Sequence, residues 1–304
     1  MKKWTTADIP SLKGKNVIIT GGAGGLGFED ALALAKAGAT VIVAGRDAAK
    51  GETALAKIRS DVPSADVSFE LIDLADLASV ASFSERISAK LDKLDILINN
   101  AGVMTPPNRL ATKDGFELQF GTNYLSHFAL TAHLLPLLKK AKGRVVSLSS
   151  VAARDGAINF DDLQAEESYK PMPVYAQSKI ACLMFAFELQ RQSDKNGWGI
   201  TSIAAHPGLS RTELLVGKSD GRGLSGVVRK YAWFLFQPVA QGALPTLFAA
   251  TSPSAELGGY YGPHALRETR GYPHKAFIPK NALDGEVSRR LWDASEKLAR
   301  VSYN

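Results

Sequence analysis

The chain has 304 residues, 36 Lys and Arg against 30 Asp and Glu, and a net charge of +6. With 45% hydrophobic and 22% charged residues it is not a disordered tail, and 27 Gly with 14 Pro exclude a collagen-like repeat. Its single cysteine, Cys182, excludes an internal disulfide framework and points to a reducing, cytoplasmic setting. The basic pairs Lys139-Lys140, Arg229-Lys230 and Arg289-Arg290 read as solvated helix faces, so no nucleic-acid partner is expected. No apolar run approaches the length of a membrane span, residues 231–236 included, and MKKWTTADIP has no apolar stretch of the signal-peptide kind.

In chain order, residues 16–20 (NVIIT) predict a first strand and 31–38 an Ala/Leu-rich helix stopped by Gly38. Residues 41–44 (VIVA) are a second strand, followed by a charged helix to about residue 59. Residues 67–72 predict a third strand, 74–91 a helix, 95–98 (DILI) a fourth strand and 113–139 a long helix. Residues 144–148 (RVVSL) and 200–205 (ITSIAA) are the fifth and sixth strands, with a helix over about 173–193 between them.

Apolar strands alternating with helices argue for a parallel sheet covered on both faces. Right-handed crossovers then give the α/β doubly wound, Rossmann-type architecture, expected here as one domain over residues 1–304. After Pro207-Gly208 the texture changes. Gly/Ser/Arg-rich residues 217–226 precede the aromatics Tyr231, Trp233, Phe234 and Phe236. Residues 258–285 are rich in Gly, Pro, His and Tyr, and a last helix is expected over about 282–298. We read about 209–240 as a lid and about 258–304 as a C-terminal cap.

Thr20-Gly21-Gly22-Ala23-Gly24-Gly25-Leu26-Gly27 falls where the first strand meets the first helix. Glycines there let a pyrophosphate approach the free N–H groups and positive dipole of a helix N-terminus. Several registers fit: Gly22/Gly24/Gly27, Gly21/Gly25/Gly27 and Gly21/Gly24/Gly27. A P-loop is excluded, because Phe28-Glu29 stand where it requires Lys-Ser/Thr. An NAD site usually carries an acidic residue at the end of the second strand for the ribose 2′-hydroxyl. Here Gly45 takes that position and Arg46 follows, which favours NADP(H), with NAD(H) possible, because a guanidinium suits a 2′-phosphate. Asp47 either caps the next helix or meets a ribose.

Tyr175 and Lys179 are four apart on a predicted helix and share a face. That spacing is weak alone and gains weight from its place after the fifth strand, since ligands in such sheets bind at the strands' carboxyl ends. Ser149-Ser150 end the fifth strand and Asn99-Asn100-Ala101-Gly102 the fourth. Cys182, in ACLMFAF, reads as a buried inert thiol, and His127 and His206 as structural. No metal-ligand spacing or G-x-S-x-G elbow is present.

With TGGAGGLG, Asp73-Leu74, NNAG, NYLSHF, SLSS, YAQSK and HPGLSRT in order along most of the chain, the sequence resembles the short-chain dehydrogenase/reductase family. The resemblance selects the Gly21/Gly25/Gly27 register. It implies a catalytic tetrad of Asn123, Ser150, Tyr175 and Lys179, with Ser150 rather than Ser149 matching the family position. Tyr175 would pass a proton to or from the substrate oxygen, Ser150 would stabilise that oxygen, and Lys179 would favour the phenolate and hold the nicotinamide ribose. Asn123 would position a water linking Lys179 to solvent. The implied cofactor residues are Gly21, Gly25, Leu26, Gly27, Arg46, Asp73, Leu74, Asn100, Ala101, Gly102, Tyr175, Lys179, Pro207, Gly208 and Thr212. Asp73 would meet the adenine amino group, and Pro207, Gly208 and Thr212 the carboxamide side of the nicotinamide.

The gap between Ser150 and Tyr175 is longer than in compact members. Its segment INFDDLQAEESYKPMP is similar to that of the branch holding retinol dehydrogenases, WW-domain oxidoreductases and protochlorophyllide reductases. The resemblance therefore implies hydride transfer on a carbonyl or alcohol, often of a bulky hydrophobic small molecule, in a homodimer or homotetramer. The competing readings are an NADPH-dependent C=C reductase and a non-catalytic NADP-binding regulator.

Overall fold

The computed structural model describes residues 3–210 and 237–303. Its centre is an eight-stranded sheet in the order β3-β2-β1-β4-β5-β6-β7-β8. The strands are β1 (Asn16–Thr20), β2 (Thr40–Gly45), β3 (Val67–Leu71), β4 (Ile96–Asn99), β5 (Arg144–Leu148), β6 (Thr201–Ala205), β7 (Tyr260–Ala265) and β8 (Arg270–Lys275). All pairs are parallel except β7–β8, which is antiparallel.

Over β1, β2, β4, β5 and β6 both faces of the sheet are buried, which is why these strands read as continuous apolar runs. On β1, Ile18 enters one core while Val17 and Ile19 enter the other. The helices that cover them are α1 (Gly25–Lys36), α2 (Ala48–Asp61), α3 (Leu77–Lys90), α4 (Ser126–Ala141), α5 (Pro171–Asn196), α6 (Val239–Thr251) and α7 (Gly285–Ala299). Side-chain caps start several of them: Asp47 accepts from the Lys50 N–H, Asp76 from Ala78, and Asp284 from Glu286 and Val287. Helix α7 packs Trp292 against Phe128 of α4 and Phe185 of α5, at centroid distances of 5.0 and 6.0 Å.

Two expectations are corrected, and one helix is added. The C-terminal cap contains strands β7 and β8, which extend the sheet, so the sheet is not wholly parallel. The helix expected from residue 113 begins later, at residue 118, and passes through a π-turn over Phe120–Leu125 into α4. Residues 113–115 form a turn, with Gly115 at φ +88°, where an L side chain is strained, and Glu117 bridges back to Ala111. Helix α6, within and beyond the expected lid, was not anticipated. The rest of the lid, residues 211–236, lies outside the described residues, and with it Thr212 and the aromatics Tyr231 to Phe236.

Candidate active site

The order of the sheet reverses at β1, which pairs with β2 on one side and β4 on the other. Crevices form beyond the carboxyl ends of strands at such a reversal. A cleft of about 1160 Å³ opens there. It collects Gly21, Gly25, Leu26, Arg46, Asp73, Leu74, Asn100, Ala101, Gly102, Ser150, Tyr175, Lys179, Pro207 and Gly208. Of the expected site residues, Gly27 and Asn123 stand behind its wall and Thr212 is not described.

Backbone geometry separates the glycine registers. Gly21 and Gly25 hold φ of +67° and +53°, in the left-handed region, whereas the φ of Gly24 is −166°, ordinary extended backbone. A Cβ on Gly27 would stand 2.5 Å from the Gly21 carbonyl oxygen and 2.6 Å from Asn100 Nδ2. A Cβ on Gly24 meets nothing within 4 Å. So Gly21, Gly25 and Gly27 are the positions that need glycine for the turn itself, and the cradle fits the close approach of a dinucleotide pyrophosphate.

The strap after β4 is held to this turn. The Thr20 hydroxyl accepts the N–H groups of Asn100 at 2.9 Å and Ala101 at 3.0 Å, and Asn100 Nδ2 donates to the Thr20 carbonyl at 2.7 Å. Farther along, Asn123 Oδ1 accepts from the Val103 N–H at 2.7 Å while its Nδ2 donates to Val103 O and Ser178 Oγ. Asn123 thus clasps the strap from behind, and both its amide groups have protein partners. A Cβ on Gly102 would meet Asn123 Oδ1 at 3.0 Å and Lys179 Nζ at 3.6 Å, so glycine there lets the two converge.

Helix α5 brings Tyr175 and Lys179 to the cleft. Lys179 is 6% exposed, and its Nζ donates to the Leu148 carbonyl at 3.1 Å and lies 5.9 Å from the centre of the Tyr175 ring. The two serines at the end of β5 differ. Ser149 Oγ donates to the Lys179 carbonyl at 2.8 Å, whereas Ser150 Oγ accepts only the Ala152 N–H, at 3.2 Å, among the bonds described for it. Asp47 serves as the α2 cap, the first of its two expected readings, and Arg46 lines the cleft beside it. Burial pushes the Cys182 thiol up, away from thiolate, and its Sγ donates to the Asn123 carbonyl at 3.2 Å.

The far end of the cleft rests on a cluster that the sequence did not signal. Gly208 N–H donates to His206 Nδ1 at 3.2 Å, so the other ring nitrogen, Nε2, carries the proton toward Glu268 at 3.0 Å. Arg154, in the turn after Ser150, pairs with the same carboxylate at 2.7 Å. Burial works against charge on Glu268, but His206, the Phe277 N–H and Arg154 together hold it down at about 2. Burial likewise lowers His206. Leu266, Arg267 and Glu268 have φ of +49°, +55° and +64°, a left-handed turn of three non-glycine residues closed by Thr269 N–H on the Ala265 carbonyl. Gln237 Nε2 donates to the Pro207 carbonyl at 2.6 Å, and Gln237 forms a parallel bridge with Ser210. Arg154, Gln237 and Glu268 lie far apart in sequence and share no periodic pattern, so only the fold joins them.

A dinucleotide cradle at the sheet reversal, with a serine, a tyrosine and a lysine along one cleft, defines an NAD(P)-dependent oxidoreductase that acts on CH–OH or C=O groups. The profile of the family described as short chain dehydrogenase matches residues 15–223, and the chain belongs to that family. It is 40% identical to mouse (Mus musculus) retinol dehydrogenase 13 over 96% of this chain and 86% of the relative. It is 38% identical to mouse polyprenol dehydrogenase over 93% of this chain and 83% of the relative. Among solved structures, an uncharacterized protein from Mycobacterium paratuberculosis aligns over all of both chains with a TM-score of 0.82 at 36% identity. Among the described residues, no helix is long and apolar enough to cross a membrane.

Proposed function

We propose that the chain is an NADP(H)-dependent carbonyl reductase or alcohol dehydrogenase for bulky hydrophobic substrates, with Tyr175 as its acid/base. The observation that carries this reading is the joint presence of Ser150, Tyr175 and Lys179 along the cleft that begins at the glycine turn. When bound, the nicotinamide supplies or accepts the hydride. In reduction, the Tyr175 hydroxyl gives its proton to the substrate oxygen; in oxidation it takes that proton back. Ser150 Oγ donates to the same oxygen and stabilises its growing charge. The buried Lys179, with its Nζ 5.9 Å from the centre of the Tyr175 ring, meets the ribose hydroxyls. Asn123 orders the strap from behind and does not reach the substrate.

The cofactor preference rests on Arg46, at a position with no carboxylate at Gly45 and with Asp47 engaged as a helix cap. Substrate size is supported by the apolar lining of Val103, Met104, Leu118, Val151, Met172 and Pro173 at the Tyr175 end, and by the named activities of the retinol and polyprenol dehydrogenases. We read the chain as one domain, acting in the cytoplasm as a homodimer or homotetramer, which sedimentation measures directly.

The test is NADPH consumption over a panel of aromatic ketones, steroids, long-chain aldehydes and enones. Reduction of aldehyde or ketone oxygens supports the reading. Reduction confined to the C=C bond of the enones would overturn it in favour of a C=C reductase.

A further inference from the structure

His127 sits in the first turn of α4, buried, and takes no part in the chemistry above. Its Nδ1 lies 2.9 Å from the Asn123 carbonyl and its Nε2 lies 2.8 Å from the Thr20 hydroxyl. A carbonyl only accepts, so Nδ1 carries a proton. Burial pushes the imidazole down to about 4, so it is neutral and Nε2 accepts. The Thr20 proton therefore points to His127; the alternative acceptor, the Ile98 carbonyl, is farther, at 3.4 Å. With its proton committed there, the lone pairs of Thr20 face the N–H groups of Asn100 and Ala101.

These bonds form a closed arrangement around one segment. Thr20 clasps the strap at Asn100 and Ala101, and Asn123 clasps it at Val103 on both N–H and C=O. His127 bridges the two clasps. We propose that His127 is a positioning residue that holds the strap 100–103, the floor of the cofactor cleft, by fixing Thr20 at one end and the Asn123 turn at the other. The π-turn under Asn123 fits this role, because such turns re-aim a local backbone. The inference deepens the proposed NADP(H) reading but rests on the geometry of the strap itself.

The test uses the full chain with His127→Leu, which removes both bonds at similar volume, and His127→Asn, which keeps the donor to Asn123. The second variant has a precedent in this structure, where Asn196 Nδ2 reaches the Gln192 carbonyl four residues back at 2.9 Å. Amide hydrogen exchange is read without cofactor, and NADPH affinity by fluorescence titration. In His127→Leu we expect exchange at Asn100, Ala101 and Val103 to quicken at least tenfold and NADPH affinity to fall at least tenfold. Ile18 and Leu97 amides should keep their protection. In His127→Asn, Asn100 and Ala101 should quicken while Val103 stays protected. Uniform quickening across the sheet, or unchanged affinity and strap protection, overturns the proposal. Should His127→Leu fail to fold, Thr20→Val against Thr20→Ser reads the same clasp: loss at Asn100 and Ala101 only in the valine variant supports it, and equal protection in both overturns it. Failure of the wild-type protein to bind NADPH would sink the cofactor reading, while the exchange pattern would still decide the role of His127.

Discussion

Ser149 Oγ donates to the carbonyl of Lys179, fastening the end of β5 to the helix that carries Tyr175. Ser149 and its neighbour Ser150 both line the cleft, but they differ in their bonds. The Ser149 hydroxyl is committed to the Lys179 carbonyl, whereas Ser150 Oγ accepts only the Ala152 N–H among the bonds described for it. Ser150→Ala is therefore expected to lower kcat about 100-fold or more with NADPH affinity kept. Ser149→Ala should cost about 1–2 kcal/mol of stability through a lost buried hydrogen bond. Steady-state kinetics and thermal melts on the pair separate the two roles.

Tyr175→Phe removes the hydroxyl to which we assign the substrate proton and leaves the ring in place. Turnover is expected to fall at least 1000-fold, with NADPH binding within about threefold of wild type. Retained turnover would remove Tyr175 from the chemistry.

Arg46→Ala should weaken NADPH at least tenfold and leave NADH nearly unchanged, since the guanidinium is assigned to the 2′-phosphate alone. Titrating both nucleotides against both proteins gives the ratio. An unchanged ratio would mean that selectivity resides elsewhere.

The glycine turn makes a paired prediction. Gly27→Ala places a Cβ 2.5 Å from a backbone oxygen, which the turn cannot yield without shifting. We expect a loss of about 2–3 kcal/mol. At Gly24, where a Cβ meets nothing within 4 Å, alanine should change the melting temperature little. Comparable melting curves would show that the turn is looser than its contacts imply.

Two buried imidazoles set an acid limit. Burial lowers His127 from 6.5 to about 4 and lowers His206 as well. The unfolded chain thus binds protons that the folded chain refuses. Their neutral forms favour folding fully above about pH 6.5, and that contribution is lost as pH falls, for His127 on approaching 4. For His127 it amounts to about 3 kcal/mol. Urea unfolding at pH 7 and pH 4.5 should show a steep loss in wild type and a shallower one in His127→Gln.

Much of the architecture was legible because β1, β2, β4, β5 and β6 are buried on both faces and each precedes a helix. Strands β7 and β8 were hidden. Their Gly, Pro, His and Tyr content mimics a loop, and β7 becomes a strand through pairing such as Ala204 with Tyr260. The cleft residues were legible where chemistry demands a fixed spacing, as for Tyr175 and Lys179. Among the glycines, residue type alone left three registers open, and backbone angles distinguish them. The links from Arg154 to Glu268 and from Thr20 to His127 join distant segments with no shared period, so nothing in the linear order announces them.

The bridge between Ser210 and Gln237 has an evolutionary consequence. The chain leaves the cleft at its Pro207 edge and returns to it at one anchored point, with Gln237 bound to the Pro207 carbonyl. Whatever stretch joins these two residues meets the same fixed ends. Closure entropy grows by only about 0.6 kcal/mol for each doubling of length. Changes of length between these fixed ends are therefore cheap in closure entropy, which leaves length at this point of the fold free to vary in evolution.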